Sequence, residues 1–182
     1  MKHYILPFLL IVTIFLIIFS GNFTDNTSII KQNKKIEAKL FGQYNNDYLF
    51  VFFGYVGCTD ICTPRLTELS SIYDKLTKEH NIDIDTVFIN LIKLEDKELP
   101  QLFASYFHED FDGFYINNAN ITFLENEFNI YSSPSLFRDG EYDHTSFLFL
   151  LKKVNNEYYL KRIYTNSPFD KDKIVNDILK GM

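Results

Sequence analysis

The sequence predicts an α/β fold in which a mixed β-sheet is flanked by helices. Strand-like apolar runs alternate with segments whose apolar residues recur at three- and four-residue steps, and the chain closes with a hairpin pattern and an amphipathic helix. A 46% apolar share and a 17% aromatic share supply side chains for a sizeable core. The length of 182 residues suits one domain with a short appendage.

Residues 1–20 predict a membrane anchor or an uncleaved signal. The stretch from Tyr4 to Phe19 is almost wholly apolar, with a length between that of a signal-peptide core and that of a full membrane span. Ile18 and Phe19 do not match the small residues that precede a cleavage site, which favours an uncleaved anchor. With Lys2 on the cytoplasmic side, the positive-inside rule puts the rest of the chain outside that membrane.

Residues 21–38 are polar and aperiodic and predict a tether, so the folded domain is expected over residues 39–182. Within this domain the elements are expected in the following order: strands at 40–41 and 48–55, a helix from Pro64 to Leu76, a strand at 82–91, a helix at 99–107, a strand at 114–116, a helix at 122–131, strands at 145–151 and 158–164, and a helix at 170–179.

Local signals justify the boundaries of these elements. Turn-forming residues at 45–47 and at 155–156 separate the strands of two expected hairpins. Thr63 followed by Pro64 predicts the start of the first helix, because threonine is a favoured N-cap and proline suits the first helical position. Its apolar residues then recur at helical spacing, namely Leu66, Leu69, Ile72 and Leu76.

Both cysteines of the chain, Cys58 and Cys62, stand at the turn between an apolar strand and a helix. This is the thioredoxin-like arrangement, in which a helix N-terminus stabilises a thiolate. Dithiol oxidoreductases usually separate the two cysteines by two residues, whereas three residues lie between these. Such a pair can close as a disulfide or hold a soft metal ion, and the spacing alone leaves both chemistries open.

Two thiolates under-coordinate most metals, so a metal site needs a further ligand from the four histidines. His3 belongs to the predicted anchor. His80 at a helix end and His108 in a polar turn are interpreted as structural, and His108 is expected to be solvated. His144 directly precedes the most apolar late strand, where this fold class places site residues. The residues alone leave open whether it is a ligand or a capping residue.

Two segments resemble the signature of the Sco/SenC family of copper chaperones. The run from Phe52 to Cys62, Phe-Phe-Gly-Tyr-Val-Gly-Cys-Thr-Asp-Ile-Cys, is similar to the family pattern around its paired cysteines. Residues 142–145, Tyr-Asp-His-Thr, resemble its later element with a histidine ligand. Residues 100–113 resemble the helix and loop between them. Two features depart from the family pattern. Thr59 stands where the pattern has proline, and the segment at 91–97 differs from the family's segment after the central strand.

The resemblance implies that Cys58, Cys62 and His144 bind one copper ion as Cu(I) or Cu(II). It also implies roles beside the ligands for two carboxylates. Asp143 is expected to orient the imidazole or simply to end a turn, and Asp60 to cap the helix or tune the thiols. Two thiolates and one imidazole suit Cu(I), and added oxygen ligands would suit Cu(II).

The function implied by the resemblance is delivery of copper to the copper A centre of cytochrome c oxidase subunit II during assembly of that enzyme. The chain would be anchored in the inner (cytoplasmic) membrane with its domain in the periplasm, and other copper chaperones or thiol reductants are further expected partners. The formal net charge of −6 argues against nucleic acid as a partner, because nucleic-acid binding needs a basic surface.

The alternative function is enzymatic: a thiol-disulfide oxidoreductase that uses Cys58 and Cys62 to keep a partner's cysteines reduced. In that role the two cysteines would form a redox-active pair, whereas a metallochaperone is a binding protein without turnover. His144 distinguishes the two hypotheses, because a dithiol exchanger does not need it. A peroxidase of the same fold fits poorly, since Arg65 alone does not supply the support that a peroxidatic cysteine needs.

Overall fold

The computed structural model describes residues 29–37 and 39–181. The predicted anchor at 1–20 and the first part of the predicted tether, residues 21–28, lie outside the described residues. Within the described ranges, none of the helices combines the length and the apolar character that crossing a membrane requires.

The described chain folds into eight strands and four α-helices. The strands are β1 (Ile29–Lys35), β2 (Tyr48–Gly54), β3 (Ile84–Asn90), β4 (Phe111–Tyr115), β5 (Ser132–Pro134), β6 (Tyr142–His144), β7 (Leu148–Val154) and β8 (Glu157–Tyr164). The α-helices are α1 (Cys62–Asp74), α2 (Leu99–Phe107), α3 (Asn118–Phe128) and α4 (Lys171–Leu179). A 3₁₀ helix spans Lys39–Gln43, and a π-helical turn, Lys75–Glu79, extends α1.

Six strands form one mixed sheet in the order β1-β8-β7-β2-β3-β4. β2, β3 and β4 are parallel, whereas β7 runs antiparallel to β2, and β8 and β1 continue the antiparallel half. The short strands β5 and β6 pair separately as a two-stranded ribbon. The predicted mixed sheet is confirmed. The parallel register brings the carboxyl ends of β2, β3 and β4 to one edge of the sheet.

A core lies on each face of the sheet, which explains the uninterrupted apolar run of β2. Phe50 and Phe52 pack with residues of α1 and α4 on one face, including Leu66 and Ile174. Their neighbours in β2 point the other way and pack against α3 and β7. Since successive side chains of a strand point to opposite faces, a strand buried on both sides needs apolar residues throughout.

Two N-terminal expectations are wrong. Residues 29–35, inside the predicted tether, form β1, which pairs antiparallel with β8 from Ile29 opposite Tyr164 to Lys35 opposite Tyr159. As an edge strand with mostly exposed side chains, β1 carries polar residues and gives no alternating pattern. The strand expected at 40–41 is part of the 3₁₀ helix, in which Phe41 alone is buried.

The boundaries of several later elements also differ. α1 begins at Cys62, so Thr63 lies inside the helix and Ile61 occupies the N-cap without a side-chain hydrogen bond. α3 begins and ends before its expected bounds, with the Asn117 side chain as its N-cap and Asn129 in the left-handed region at its end. The helix expected at 99–107 is confirmed.

Helix α2 closes the β4 edge of the sheet with a side chain. Gln101 donates from Nε2 to the Phe111 carbonyl at 3.1 Å and accepts at Oε1 from the Gly113 N–H at 2.9 Å. The backbone of α2 also comes so near that a Cβ at Gly113 would collide with the Pro100 carbonyl. The glutamine amide therefore takes the hydrogen bonds that a further strand would take.

Candidate metal centre

The two cysteines are positioned by the turn between β2 and α1. Gly57 supplies a left-handed φ of 91°, and the Cys58 N–H donates to the Tyr55 carbonyl at 3.2 Å. The buried Asn90 at the end of β3 accepts from the Val56 N–H at 3.0 Å, which ties the turn to the sheet. Cys58 thus lies in the turn, and Cys62 is the first residue of α1.

The histidine comes from the β5–β6 ribbon, 82 residues after Cys62. His144 ends β6, where it pairs with Ser132, and the Thr145 N–H donates to the Tyr131 carbonyl at 3.1 Å. The ring of Tyr55 meets the imidazole edge to face, with centroids 5.6 Å apart. The sequence predicted no ribbon at this position because each of its strands has only three residues.

The structure brings Cys58, Cys62 and His144 together. The His144 Nε2 atom lies 3.5 Å from the Cys62 sulfur and 3.9 Å from the Cys58 sulfur. The three donor atoms lie within 4.8 Å of one another, all three residues are buried, and both thiols are free. Bonds of roughly 2.0–2.3 Å from nitrogen and sulfur to one central ion fit donors at such separations.

A backbone carbonyl fixes the orientation of His144. Nδ1 lies 3.0 Å from the Thr145 oxygen, and because a carbonyl can only accept, Nδ1 carries the proton and donates. The other ring nitrogen, Nε2, therefore faces the two sulfurs. An imidazole oriented in this way presents Nε2 as the third donor of the group.

The two thiols have opposite acidities. Hydrogen bonds from the Cys62 thiol, from His144 and from the Cys62 and Ile61 N–H groups lower the pKa of Cys58 to about 4, although burial opposes this change. The Cys62 N–H donates to the Cys58 sulfur at 3.3 Å. The Cys62 thiol also donates a hydrogen bond to the Cys58 sulfur. This hydrogen bond, together with burial, raises the pKa of Cys62 far above its usual range. Cys58 is therefore the thiolate, and Cys62 holds its proton.

The carboxylates expected to act beside the ligands face an arginine. Asp60 accepts from Arg138 Nη1 at 3.1 Å and from the Thr59 hydroxyl at 3.2 Å. The N-cap of α1 is Ile61, so the cap expected from Asp60 is absent. The Asp143 carboxylate lies 3.7 Å from Arg138 Nη2. The imidazole N–H donates to the Thr145 carbonyl oxygen and not to Asp143, the residue that the resemblance suggested for this role.

The remaining described histidines have structural surroundings. His80 is exposed at the C-cap of the helical turn after α1. His108, expected to be solvated, is instead largely covered: its ring lies 4.6 Å from that of Tyr73, and its Nε2 lies 3.1 Å from the Asp74 carboxylate. Within residues 29–37 and 39–181, the one group of three or more potential ligands is Cys58, Cys62 and His144.

A small cavity lies beside Cys58, one member of this group. Its volume is about 170 Å³, and Cys58 lines it together with Tyr55, Ile92, Arg138 and Tyr142. Cys62 and His144 do not line this cavity, so Cys58 is the member of the group that faces it. Sequence reasoning identified the three potential ligands but missed Asn90 and Arg138, whose contacts with the turn depend on distant parts of the chain.

Known proteins of one family resemble this chain over most of its length. A family model described as SCO1/SenC matches residues 21–181. A SCO2-like protein of Rickettsia felis is 29% identical over 163 residues, covering 84% of this chain and 73% of the relative. A SCO2-like protein of Rickettsia conorii is 30% identical over 149 residues, covering 76% of this chain and 68% of the relative.

Solved structures share the fold. Apo Sco1 of Thermus thermophilus aligns with a TM-score of 0.63 at 23% identity, over 87% of this chain and 95% of that one. ScoI of Arabidopsis thaliana, solved with copper bound, aligns with a TM-score of 0.66 at 21% identity, over 83% and 96%. The protein called BsSco, described as one of the cytochrome c oxidase assembly proteins, aligns at 0.61 and 17%, over 81% and 93%. The resemblance noted in the sequence is confirmed, and the chain belongs to the SCO1/SenC family.

Proposed function

We propose that this protein is a copper metallochaperone that binds one copper ion through Cys58, Cys62 and His144. The observation that carries the proposal is the convergence of two sulfurs and one imidazole nitrogen, with every donor pair within 4.8 Å. Soft thiolates select Cu(I) among biological metals, and imidazole is a good copper ligand. The copper-bound Arabidopsis relative supports this choice of cargo.

The proposed recipient is the copper A centre of cytochrome c oxidase subunit II, which the protein would serve during assembly of that enzyme. The assembly role given for BsSco supports this proposal. Transfer would proceed by ligand exchange, in which thiolates of the recipient replace the donors of this site one at a time. The cavity beside Cys58 offers the approach for such an exchange. Other copper chaperones or thiol reductants would load or reduce the site.

The proposed location is the inner membrane, with the domain facing the periplasm. The apolar run from Tyr4 to Phe19 and the preceding Lys2 support this location by their composition and order. Protease treatment of spheroplasts tests it: a periplasmic domain is digested when the outer membrane is opened, whereas a cytoplasmic one is protected. A protein that is released without detergent would contradict the anchor.

Titration with Cu(I) against a competing chelator tests the metal site. The full-length protein is expected to bind one Cu(I) per chain, and His144→Ala to bind it more weakly by at least tenfold because one donor of three is lost. His80→Ala is the matched control, since it removes an exposed histidine outside the trio. Equal affinity of the wild type and His144→Ala would overturn the three-ligand site.

Mixing the Cu(I)-loaded protein with the apo copper A domain of subunit II, under controlled oxidation, tests delivery. Appearance of the copper A absorption bands faster than with an equal concentration of chelated copper is the expected result. If the bands appear no faster than with chelated copper, the proposal that this protein delivers copper to subunit II is rejected, whereas the proposal that it binds copper is unaffected.

A second function, thiol-disulfide exchange, is favoured by the low pKa of Cys58 beside the protonated Cys62. The Cys58 thiolate would attack a partner's disulfide and form a mixed disulfide, releasing one partner thiolate. Cys62, on losing its proton, would then attack Cys58 and release the second. The partner gains two electrons, and this protein becomes a disulfide that a thiol reductant must reduce. Cys62→Ser should trap the mixed disulfide, and absence of partner reduction by the wild type would reject this function.

A further inference from the structure

The loop between β5 and β6 carries one guanidinium group among three carboxylates. Arg138 Nη1 lies 2.7 Å from Glu141 and 3.1 Å from Asp60, and Nη2 lies 3.7 Å from Asp143. Asp60 stands between the two cysteines, and Asp143 directly precedes His144. The arginine therefore joins the segment that provides the sulfurs to the segment that provides the imidazole.

We infer that Arg138 is a positioning residue that holds the cysteine turn against the histidine strand and so sets how long the metal ion is retained. The inference rests on the proposed function, because it concerns the same site. It assigns no ligand role to Arg138. The residue acts through Asp60, which lies between the two cysteines, and through Asp143, which directly precedes His144.

The ion pair between Arg138 and Asp60 joins segments that are distant in sequence. Arg138 and Asp60 are 78 residues apart in sequence, and their ion pair bridges two segments that each hold part of the trio. The rings of Tyr55 and Tyr142, with centroids 5.9 Å apart, also touch between these segments. An ion lost from such a site must first lose contact with one segment, so a bond between the segments slows its departure.

The residue type suits this position. A guanidinium group offers several N–H donors in one plane and can serve more than one carboxylate, which an ammonium group does less well. Without it, Asp60, Glu141 and Asp143 would place three negative charges side by side. Removing Arg138 thus replaces attraction between the segments by repulsion, a larger change than the loss of an isolated exposed ion pair.

Release of Cu(I) from the full-length protein to an excess of chelator tests the inference. Arg138→Gln is expected to release the ion faster by about threefold to tenfold, as loss of a small exposed charge network allows. Arg138→Lys should be intermediate. Lys31→Gln, which removes an exposed positive charge on β1, should match the wild type. High salt screens the attraction in the wild type and the repulsion in Arg138→Gln, so it should accelerate release from the wild type and slow release from the variant, which brings the two rates together.

A double-mutant cycle separates the bridge from a general effect of charge. If the bridge carries the effect, Asp60→Asn combined with Arg138→Gln releases Cu(I) more slowly than the product of the two single effects predicts. Equal release by Arg138→Gln and the wild type, or strictly multiplicative effects in the double variant, would overturn the inference.

Hydrogen exchange of backbone amides in the metal-free protein tests the positioning role without depending on copper binding. The Ser135 N–H donates to the Glu141 carbonyl, and the Glu141 N–H to the Arg138 carbonyl, so both report the state of the loop. Arg138→Gln should accelerate exchange over residues 135–144, with α4 unchanged. If the wild type fails to bind Cu(I), the copper function is rejected, and unchanged exchange would separately reject the positioning role.

Discussion

The α-carbon of Gly54 lies directly against the sulfur of Cys62. A Cβ built on Gly54 would stand 2.5 Å from that sulfur and 3.0 Å from the Phe88 ring. Real Cβ atoms do not approach other atoms so closely, so any side chain at position 54 must displace a ligand candidate or the core beneath it. The last residue of β2 thus provides the space in which the second thiol is placed.

Gly54→Ala is therefore expected to damage the site and the core together. We expect the free energy of unfolding to fall by about 1–3 kcal/mol, the usual result of adding a methyl group to a packed interior, and Cu(I) affinity to fall as the sulfur moves. Urea denaturation and chelator competition measure the two effects. Gly42→Ala is the control, because a Cβ there meets nothing within 4 Å. Unchanged affinity in Gly54→Ala would show that the sulfur position is not critical.

The acidity of Cys58 predicts an unusual pH profile for alkylation of the reduced, metal-free protein. A thiol with a pKa of about 4 is already ionised above that pH, so its rate with iodoacetamide should be nearly flat from pH 6 to pH 8. An ordinary thiol reacts about tenfold faster for each pH unit in this range. Peptide mapping by mass spectrometry should find Cys58 modified before Cys62.

Two outcomes would contradict that prediction. One is a Cys58 rate that rises steeply to pH 8. The other is earlier modification of Cys62, whose pKa the structure places above the usual range. Cys62→Ala removes the side chain that donates to Cys58 and puts no donor in its place, so the flat region in this variant should begin at a higher pH.

Metal binding is expected to stabilise the fold, because the site exists only when the cysteine turn and the histidine strand are together. With free Cu(I) at about 100 times the dissociation constant, the gain is about 2.7 kcal/mol. Thermal unfolding followed by circular dichroism should show a higher Tm for the copper-loaded wild type and a smaller increase for His144→Ala. An equal increase in both proteins would mean that the stabilising ion binds elsewhere.

An aromatic cluster on the α3 side of the sheet is expected to carry much of the stability. Phe128 is 2% exposed and meets Phe53 and Phe149 with ring centroids 5.0 and 5.2 Å apart. Phe128→Ala should lower the free energy of unfolding by about 3–5 kcal/mol. Phe137→Ala, at a site 92% exposed, should change it by less than about 0.5 kcal/mol. Similar losses in both variants by urea denaturation would contradict this packing.

The features that could be predicted from the sequence have strong local signals. The buried run of β2 and the helix at Leu99–Phe107 follow from apolar content and spacing, and the cysteine pair stands out as the sole thiols of the chain. The place of His144 before an apolar strand leaves open whether it is a ligand or a capping residue, and its ligand role is implied by the family resemblance. That it lies within 4 Å of both sulfurs depends on the ribbon and the sheet together, which no local pattern encodes.

The features that were missed depend on distant partners. β1 is a strand because β8 offers it hydrogen bonds, although most of its own residues are polar and exposed. The contact of Arg138 with Asp60 gives no signal in either segment, because an exposed arginine in a loop is an ordinary surface residue. Thr145 fixes the imidazole through its backbone oxygen, and a backbone contact places no demand on residue type.

The Gln101 amide on the β4 edge has a consequence for how copies of this protein behave towards each other. An open edge of a parallel sheet is a template on which another chain can add strands, the first step in ordered aggregation. Because the Gln101 side chain satisfies the Phe111 carbonyl and the Gly113 N–H within the same chain, this edge offers them to no neighbour. One amide group thereby helps keep crowded copies as separate molecules.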